Sequence, residues 1–291
     1  SSDVCSSDLV DDRISGAVTL GSAADAVINL VDATITANTL EAYVSNDMTG
    51  ILARVDGQTD LYVGRILGSS NLTIGGALNI TGTGADTQLI NNIIGTVGAI
   101  TATNLGDAIN NIVSTAAALN LTVAGNVVGG EYVAAGAIDV DAALIASASF
   151  DGGDIVTLDA TGNIELVDVK ANNGTTLTSG AIIDATTVVA NSGDAVLTAV
   201  QIGNSTVTAE TGSITTSGSI LDSTLTALGN VTIKNATYAS NNMVVAGGAI
   251  DLTEKVNKVV GGSYLADGMI TVDAGLVASA TFDSGDVVTM N

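Results

Sequence analysis

The sequence contains no histidine, no proline and no tryptophan, a single cysteine, and only 7 Lys plus Arg among 291 residues. Each absence removes a class of chemistry. Without histidine, and with one thiol, there is no Ser–His or Cys–His dyad and no thiolate–imidazole zinc cluster. The few cations face 30 acidic side chains, for a formal charge of −23. A surface so negative repels phosphate backbones, which excludes nucleic acid as a partner. No apolar run approaches the ~18 residues of a membrane span. Phe and Tyr together number seven. A broad globular core closes its gaps with large rings, whereas a narrow core of stacked aliphatic side chains needs none.

What is abundant points the same way. Hydrophobic residues make up 46% of the chain, too many for a disordered polyampholyte, and they are chiefly Ala, Val, Ile and Leu. Of the acids, 25 are Asp and 5 Glu. Aspartate favours turns and disfavours helix interiors. With Thr, Asn and 34 glycines alongside, the bias is to short strands joined by tight turns, an all-β profile. Residues 1–9, SSDVCSSDL, repeat Ser-Ser-Asp and match nothing downstream. They read as a non-native leader, and the cysteine, Cys5, goes with them.

An internal repeat decides the architecture. Residues 127–159 and 259–291 are identical at 21 of 33 positions at an offset of 132, without a gap, and Tyr132/Tyr264 and Phe150/Phe282 coincide. A shorter period lies inside the long one. Gly-x-apolar-x-apolar starts at Gly229, Gly248 and Gly268, with looser versions at Gly193, Gly212 and Gly285, all at nearly even intervals. A unit of roughly 19 residues suits one coil of three short strands, alternate residues inward, with Gly or Asn/Asp at the corners. A coil cannot bury its inward face alone and must stack on the next. The expectation is a right-handed parallel β-helix, a rod of such coils. A β-sandwich would need a hairpin signal every ~8–12 residues, and Asn173-Gly174 is the one Asn-Gly pair in the chain.

One stretch departs from the pattern. Between residues 86 and 119, Leu89, Ile90, Ile93, Ile94 and Val97, then Ala108, Ile109, Ile112, Val113 and Ala116, fall at i, i+3, i+4 spacings. That spacing suggests a short helical insertion, although β-branched side chains suit strands equally well. The organisation expected is therefore a leader at 1–9, N-terminal coils at 10–85, an irregular or partly helical segment at 86–119, and coils carrying the 132-residue duplication at 120–291.

Residues 51–74, ILARVDGQTDLYVGRILGSSNLTI, resemble a stretch of filamentous-haemagglutinin-type exoproteins, in which an apolar-x-Arg-Val-x-Gly run precedes a Gly-Arg-Ile segment and a strand. The matching positions are Leu52, Arg54, Val55, Gly57, Gly64, Arg65 and Ile66, then Leu72 and Ile74. The Asn-Pro-Asn-Gly signature of that family is missing. The resemblance implies a secreted, surface-associated β-helical passenger, often adhesive, that reaches the cell surface through an outer-membrane secretion partner and contacts glycans or proteins of host or neighbouring cells.

Candidate chemistry is sparse, and no catalytic, cofactor or metal site is assigned. Asp151-Gly-Gly-Asp154 and Asp283-Ser-Gly-Asp286 each place two carboxylates across a tight turn. They could hold Ca²⁺ through oxygen ligands or act as a glycosidase pair, but aspartates more simply satisfy backbone N–H groups at corners. A β-helical lyase would need a basic residue to take a proton. The cations are Arg13, Arg54, Arg65, Lys170, Lys234, Lys255 and Lys258, and the close pair Lys255/Lys258 reads as a solvated edge. Thr-x-Thr pairs, such as Thr206/Thr208 and Thr224/Thr226, recur too irregularly for an ice-ordering ladder. The expectation is a non-enzymatic, adhesin-like fragment of a larger exoprotein, with end-to-end self-association at exposed terminal coils. A carbohydrate-active enzyme and a self-assembling surface-layer component stand as alternatives.

Overall fold

The computed structural model describes residues 16–84 and 86–291. The leader at 1–9 and Arg13 lie outside the described residues. Among those described, every regular element is a β-strand and all paired strands run parallel. The chain divides into two compact units, Ser1–Leu144 and Ile145–Asn291. Each is a parallel β-solenoid with three strand positions per turn. The third strand of each turn counts six turns in the first unit and eight in the second.

In the first unit the third strands are Thr34–Ala37, Leu52–Val55, Asn71–Ile74, Ile93–Thr96, Ile112–Thr115 and Glu131–Ala134. Each is registered on the next: Thr34 on Leu52, Leu52 on Asn71, Asn71 on Ile93, Ile93 on Ile112 and Ile112 on Glu131. The longest step, Asn71 to Ile93, contains the extra turn around Gly84. In the second unit the steps are more even, as from Ser149 to Asp168, Asp168 to Thr187 and Thr187 to Thr206. The period of about 19 anticipated from the glycines is thus the length of one coil.

Strand alternation fills the interior with columns of one residue per coil. In the second unit Ile164, Ile183, Ile202 and Ile220 form one column, and Ala171, Ala190, Ala209, Ala227, Ala246 and Ala266 another, all buried. Like stacks on like at the coil spacing of ~4.8 Å, so the core closes with few rings. Tyr264 and Phe282 are an exception, stacked with centroids 5.0 Å apart.

Two corners fix the repeat. At the corner before the first strand, backbone hydrogen bonds run directly from coil to coil: Gly76 N–H to Gly57 O at 3.1 Å, Gly98 N–H to Gly76 O at 3.0 Å, and Gly248 N–H to Gly229 O at 3.0 Å. The backbones approach so closely that a Cβ on Gly98 would lie 2.6 Å from Ala77 N. That contact explains the periodic glycine. At the corner before the third strand, one residue per coil is left-handed. Asp32, Gly50, Ser69, Asn91, Asn110 and Gly129 have φ between 50° and 66° in the first unit. Asn, Asp, Ser and Gly tolerate that conformation best, and the second unit also places Leu166 and Ala185 there. In the duplicated segments the corner is a glycine pair, Gly129-Gly130 and Gly261-Gly262, all four with positive φ.

The residue after the left-handed corner points inward, and its N–H finds a side chain of the coil above in place of a carbonyl. Ile51 N–H donates to Ser70 Oγ (3.1 Å), Ser70 N–H to Asn92 Oδ1 (3.1 Å), and Asn92 N–H to Asn111 Oδ1 (3.0 Å). In the second unit Ser205 N–H donates to Ser223 Oγ (3.2 Å) and Ser223 N–H to Asn242 Oδ1 (3.0 Å). A buried polar ladder therefore completes the hydrogen bonding that the bend would otherwise leave open.

The helical spacing at 86–119 is not a helix. Gln88–Ile90, Ile93–Thr96, Ile100–Leu105, Asp107–Ile109, Ile112–Thr115 and Leu119–Val123 are strands of two ordinary coils and the start of a third. Leu89 and Ile94 point inward, whereas Ile93 and Ile112 point to solvent, about half exposed. Apolar residues on both faces of strands bent at Asn91 and Asn110 imitate a helical period.

Candidate functional surfaces

The carboxylate turns resolve into separate groups, of which Asp154 is tied into a coil-to-coil hydrogen bond. Asp151 stands on the outward side of Ser149–Gly152, in register with Lys170. Asp154 lies past the corner, where its Oδ1 accepts from Asn173 Nδ2 at 2.8 Å. Asp283 is registered with Leu265, and the Asp286 N–H donates to Ser284 Oγ at 3.1 Å. The same coil-to-coil use recurs at Asp184 with Asn204 (2.9 Å), Asp222 with Asn241 (3.2 Å) and Asp194 with the Ser213 N–H (2.8 Å). Corner aspartates thus accept from the coil above. Among the described residues, no group of three or more Asp, Glu or Cys gathers as a metal-ligand set.

Lys255 sits at a bulge with φ 57°, where the register of Ile250–Val260 against Ile270–Ala278 shifts. The Lys258 ammonium lies 5.1 Å from the Tyr238 ring centroid, a cation–π contact on the second-strand face. Thr206/Thr208 and Thr224/Thr226 are registered directly on one another, but the next coils present Thr187/Val189 below and Met243/Val245 above. Thr101 is registered between Asn79 and Asn120. The threonine pairs therefore make patches and no continuous ladder.

One cluster escaped the sequence reading because its members belong to successive coils and are far apart in the chain. On the first-strand face of the first unit, Glu41 is registered with Asp60 and Tyr43 with Tyr62. The two tyrosine rings stack at 4.3 Å and 4°. Tyr43 Oη donates to Glu41 Oε1 (2.9 Å), which together with partial desolvation pushes its pKa up to about 12. Gln58 Nε2 (2.9 Å) and Asn79 Nδ2 (2.7 Å) donate to Asp60. Acids, amides and rings suggest sugar recognition, yet each ring covers a face of the other and both carboxylates already have partners. Nearby, Arg65 forms a two-point pair with Asp47, which holds the Asp47 carboxyl below its ordinary range.

Charge is unevenly shared among the faces of the first unit. Its first and second strands carry Glu41, Asp47, Asp60, Asp107, Asp139 and Asp141 and no cation. Its third strands carry one acid and one cation, Glu131 and Arg54, so they bring no net charge, whereas the other two strand positions keep an acid excess even after Arg65 beside Ile66 pairs with Asp47. The neutral face also bears Leu52, Ile93 and Ile112, 52%, 51% and 49% exposed. Residues 51–74 map onto slightly more than one coil, with Val55, Leu72 and Ile74 inward and Leu52 and Arg54 outward.

Comparison with protein-family models, with curated proteins and with solved structures finds no match to this chain.

Proposed function

We propose that this chain is a non-enzymatic structural segment of a secreted or surface-displayed bacterial exoprotein, in which the solenoid presents repeated outward faces for attachment to glycans or proteins of another cell. The observation that supports this reading most is how the polar groups are used. Corner aspartates and asparagines, Asp154 of the candidate turns among them, accept and donate between coils, at Asp154–Asn173, Asp184–Asn204 and Asp222–Asn241. What remains free to meet a partner is columns of outward side chains, one per coil. Such columns give many weak, equivalent contacts whose strength comes from number. Export through an outer-membrane partner follows from the resemblance over residues 51–74.

The test is a glycan and matrix-protein array probed with the chain, with and without Ca²⁺, while hydrolysis of the same glycans is scored. Retention without turnover is expected. Glycan cleavage lost on Asp151→Asn or Asp283→Asn would overturn the non-enzymatic reading, and calcium-dependent retention lost in the same variants would assign those turns to metal binding.

A further inference from the structure

We propose that the third-strand face of the first unit is a self-association surface on which a second copy of this chain docks face to face, with the two solenoids running in the same direction. Charge is the first reason. Two chains of −23 each repel through their acidic first- and second-strand faces, and the third-strand face is the one that brings no net charge to a contact. A cationic partner would be drawn to the other faces instead. A neutral sugar would find no aromatic ring on this one, because the single aromatic of these strands, Tyr132, is buried.

Shape is the second reason. Ile93 and Gly95 are neighbouring outward residues of one strand. Directly above, in register, are Ile112 and Ser114. A Cβ placed on Gly95 would meet nothing within 4 Å, so the strand carries an open notch between Ile93 and Val97, which are 51% and 64% exposed. At these two coils apolar knobs form one column and small residues the next, whereas the flanking coils place Thr73 and Arg54 below Gly95 and Val133 above Ser114. A two-fold axis along the stacking direction, between the columns, sets Ile93 of one copy over Gly95 of the other and Ile112 over Ser114. The surface is thereby self-complementary at these two coils, as an isologous contact requires, and buries aliphatic side chains that otherwise face water.

Size sets the strength. Six strands at ~4.8 Å and four residues at ~3.3 Å give a footprint of roughly 400 Å² per copy. That is about half the ~800 Å² per partner of a standard stable interface, so the dimer is weak, reversible and concentration-dependent. Salt strengthens it by screening the repulsion between the acidic remainders.

The experiment is sedimentation velocity on the whole chain over a wide concentration range, at low and high salt. The expected result is a mass that rises from monomer towards dimer with concentration, more readily at high salt. Ile93→Asp, at an exposed position, weakens association by roughly tenfold or more. Thr101→Asp, on the first-strand face, leaves it unchanged at high salt. Mixing the Ile93→Asp chain with a Gly95→Lys chain, which sets the new carboxylate against the new ammonium, restores association that neither shows alone. A chain that stays monomeric throughout would overturn the proposal. So would association that survives Ile93→Asp but is lost on Met290→Asp in the last coil, which is the signature of end-to-end contact.

Discussion

Asn111→Ala tests the account of the left-handed corner most directly. Asn111 is fully buried, and its amide serves both coils. Its Oδ1 accepts from the Asn92 N–H and from Asn92 Nδ2, each at 3.0 Å, and its Nδ2 donates to Leu89 O at 2.8 Å. Truncation leaves the Asn92 N–H without an acceptor and removes a donor from Leu89 O. Asn92 Nδ2 keeps its bond to Leu67 O at 2.8 Å. An unsatisfied buried group costs about 1–3 kcal/mol, so two such groups and a small cavity place the loss at about 3–4 kcal/mol. Asn111→Leu, which restores apolar volume but no hydrogen bond, should recover little of it. Asn120→Ala, outward on the neighbouring strand, should cost no more than about 0.5 kcal/mol. Urea unfolding followed by far-ultraviolet circular dichroism, with equal m-values for all variants, measures the differences. If Asn111→Ala proves no more costly than Asn120→Ala, the corner N–H groups are satisfied by solvent or by relaxation and the ladder is not what holds the coils in register.

Further consequences can be checked in the same assay. The Thr216 hydroxyl is buried without a partner, registered between Leu197 and Ile233, so Thr216→Val should stabilise by about 1 kcal/mol, seen as a higher urea midpoint. Leu166 holds φ 54° while 62% exposed, and Leu166→Asn should add roughly 0.5–1 kcal/mol by relieving left-handed strain. Gly98→Ala forces a Cβ against backbone 2.6 Å away and should cost several kcal/mol or prevent folding, whereas Gly95→Ala, in open space, should change stability by less than ~0.5 kcal/mol. Burial pushes the Tyr132 and Tyr264 hydroxyls up to about 12 from 10.0, with Asn111 and Asn242 opposing the rise. The unfolded chain therefore ionises first: stability should hold below pH 10 and fall between pH 10 and 12, by roughly 2–3 kcal/mol per tyrosine at most. Tyr264→Phe should flatten that fall, and an unchanged alkaline slope would refute the assignment.

The fold was legible because its steric rules act on single residues. Close approach at one corner favours glycine in most coils, as at Gly212, Gly229 and Gly248, with Asn38 and Ala117 in that place in two others, and the interior demands alternation, so period and strand class both surface in the chain. The polar ladder was not legible. Ser70, Asn92 and Asn111 become a set only when coils of unequal length are stacked, and nothing local separates Asn111, buried, from Asn110, which merely supplies the left-handed bend. The Glu41/Asp60/Tyr43/Tyr62 cluster was hidden for the same reason, since its contacts run between coils and its sequence spacing resembles that of any outward residue.

The misread stretch at 86–119 carries the most information about what the surface does. Ile93 and Ile112 generated a helical period because they are apolar where the strand rule calls for polar residues. Each is apolar on the outward side of its strand, as Leu52 is. Folding does not require the exception: their side chains lie half in water, and threonine occupies the same column at Thr34, two coils below Asn71. A departure that lowers solubility without filling the core points to a requirement outside the coil itself. In the face-to-face contact proposed above, the unpatterned residues are the ones that meet the second copy, and the bare Gly95 between Ile93 and Val97 is where its Ile93 has room to enter.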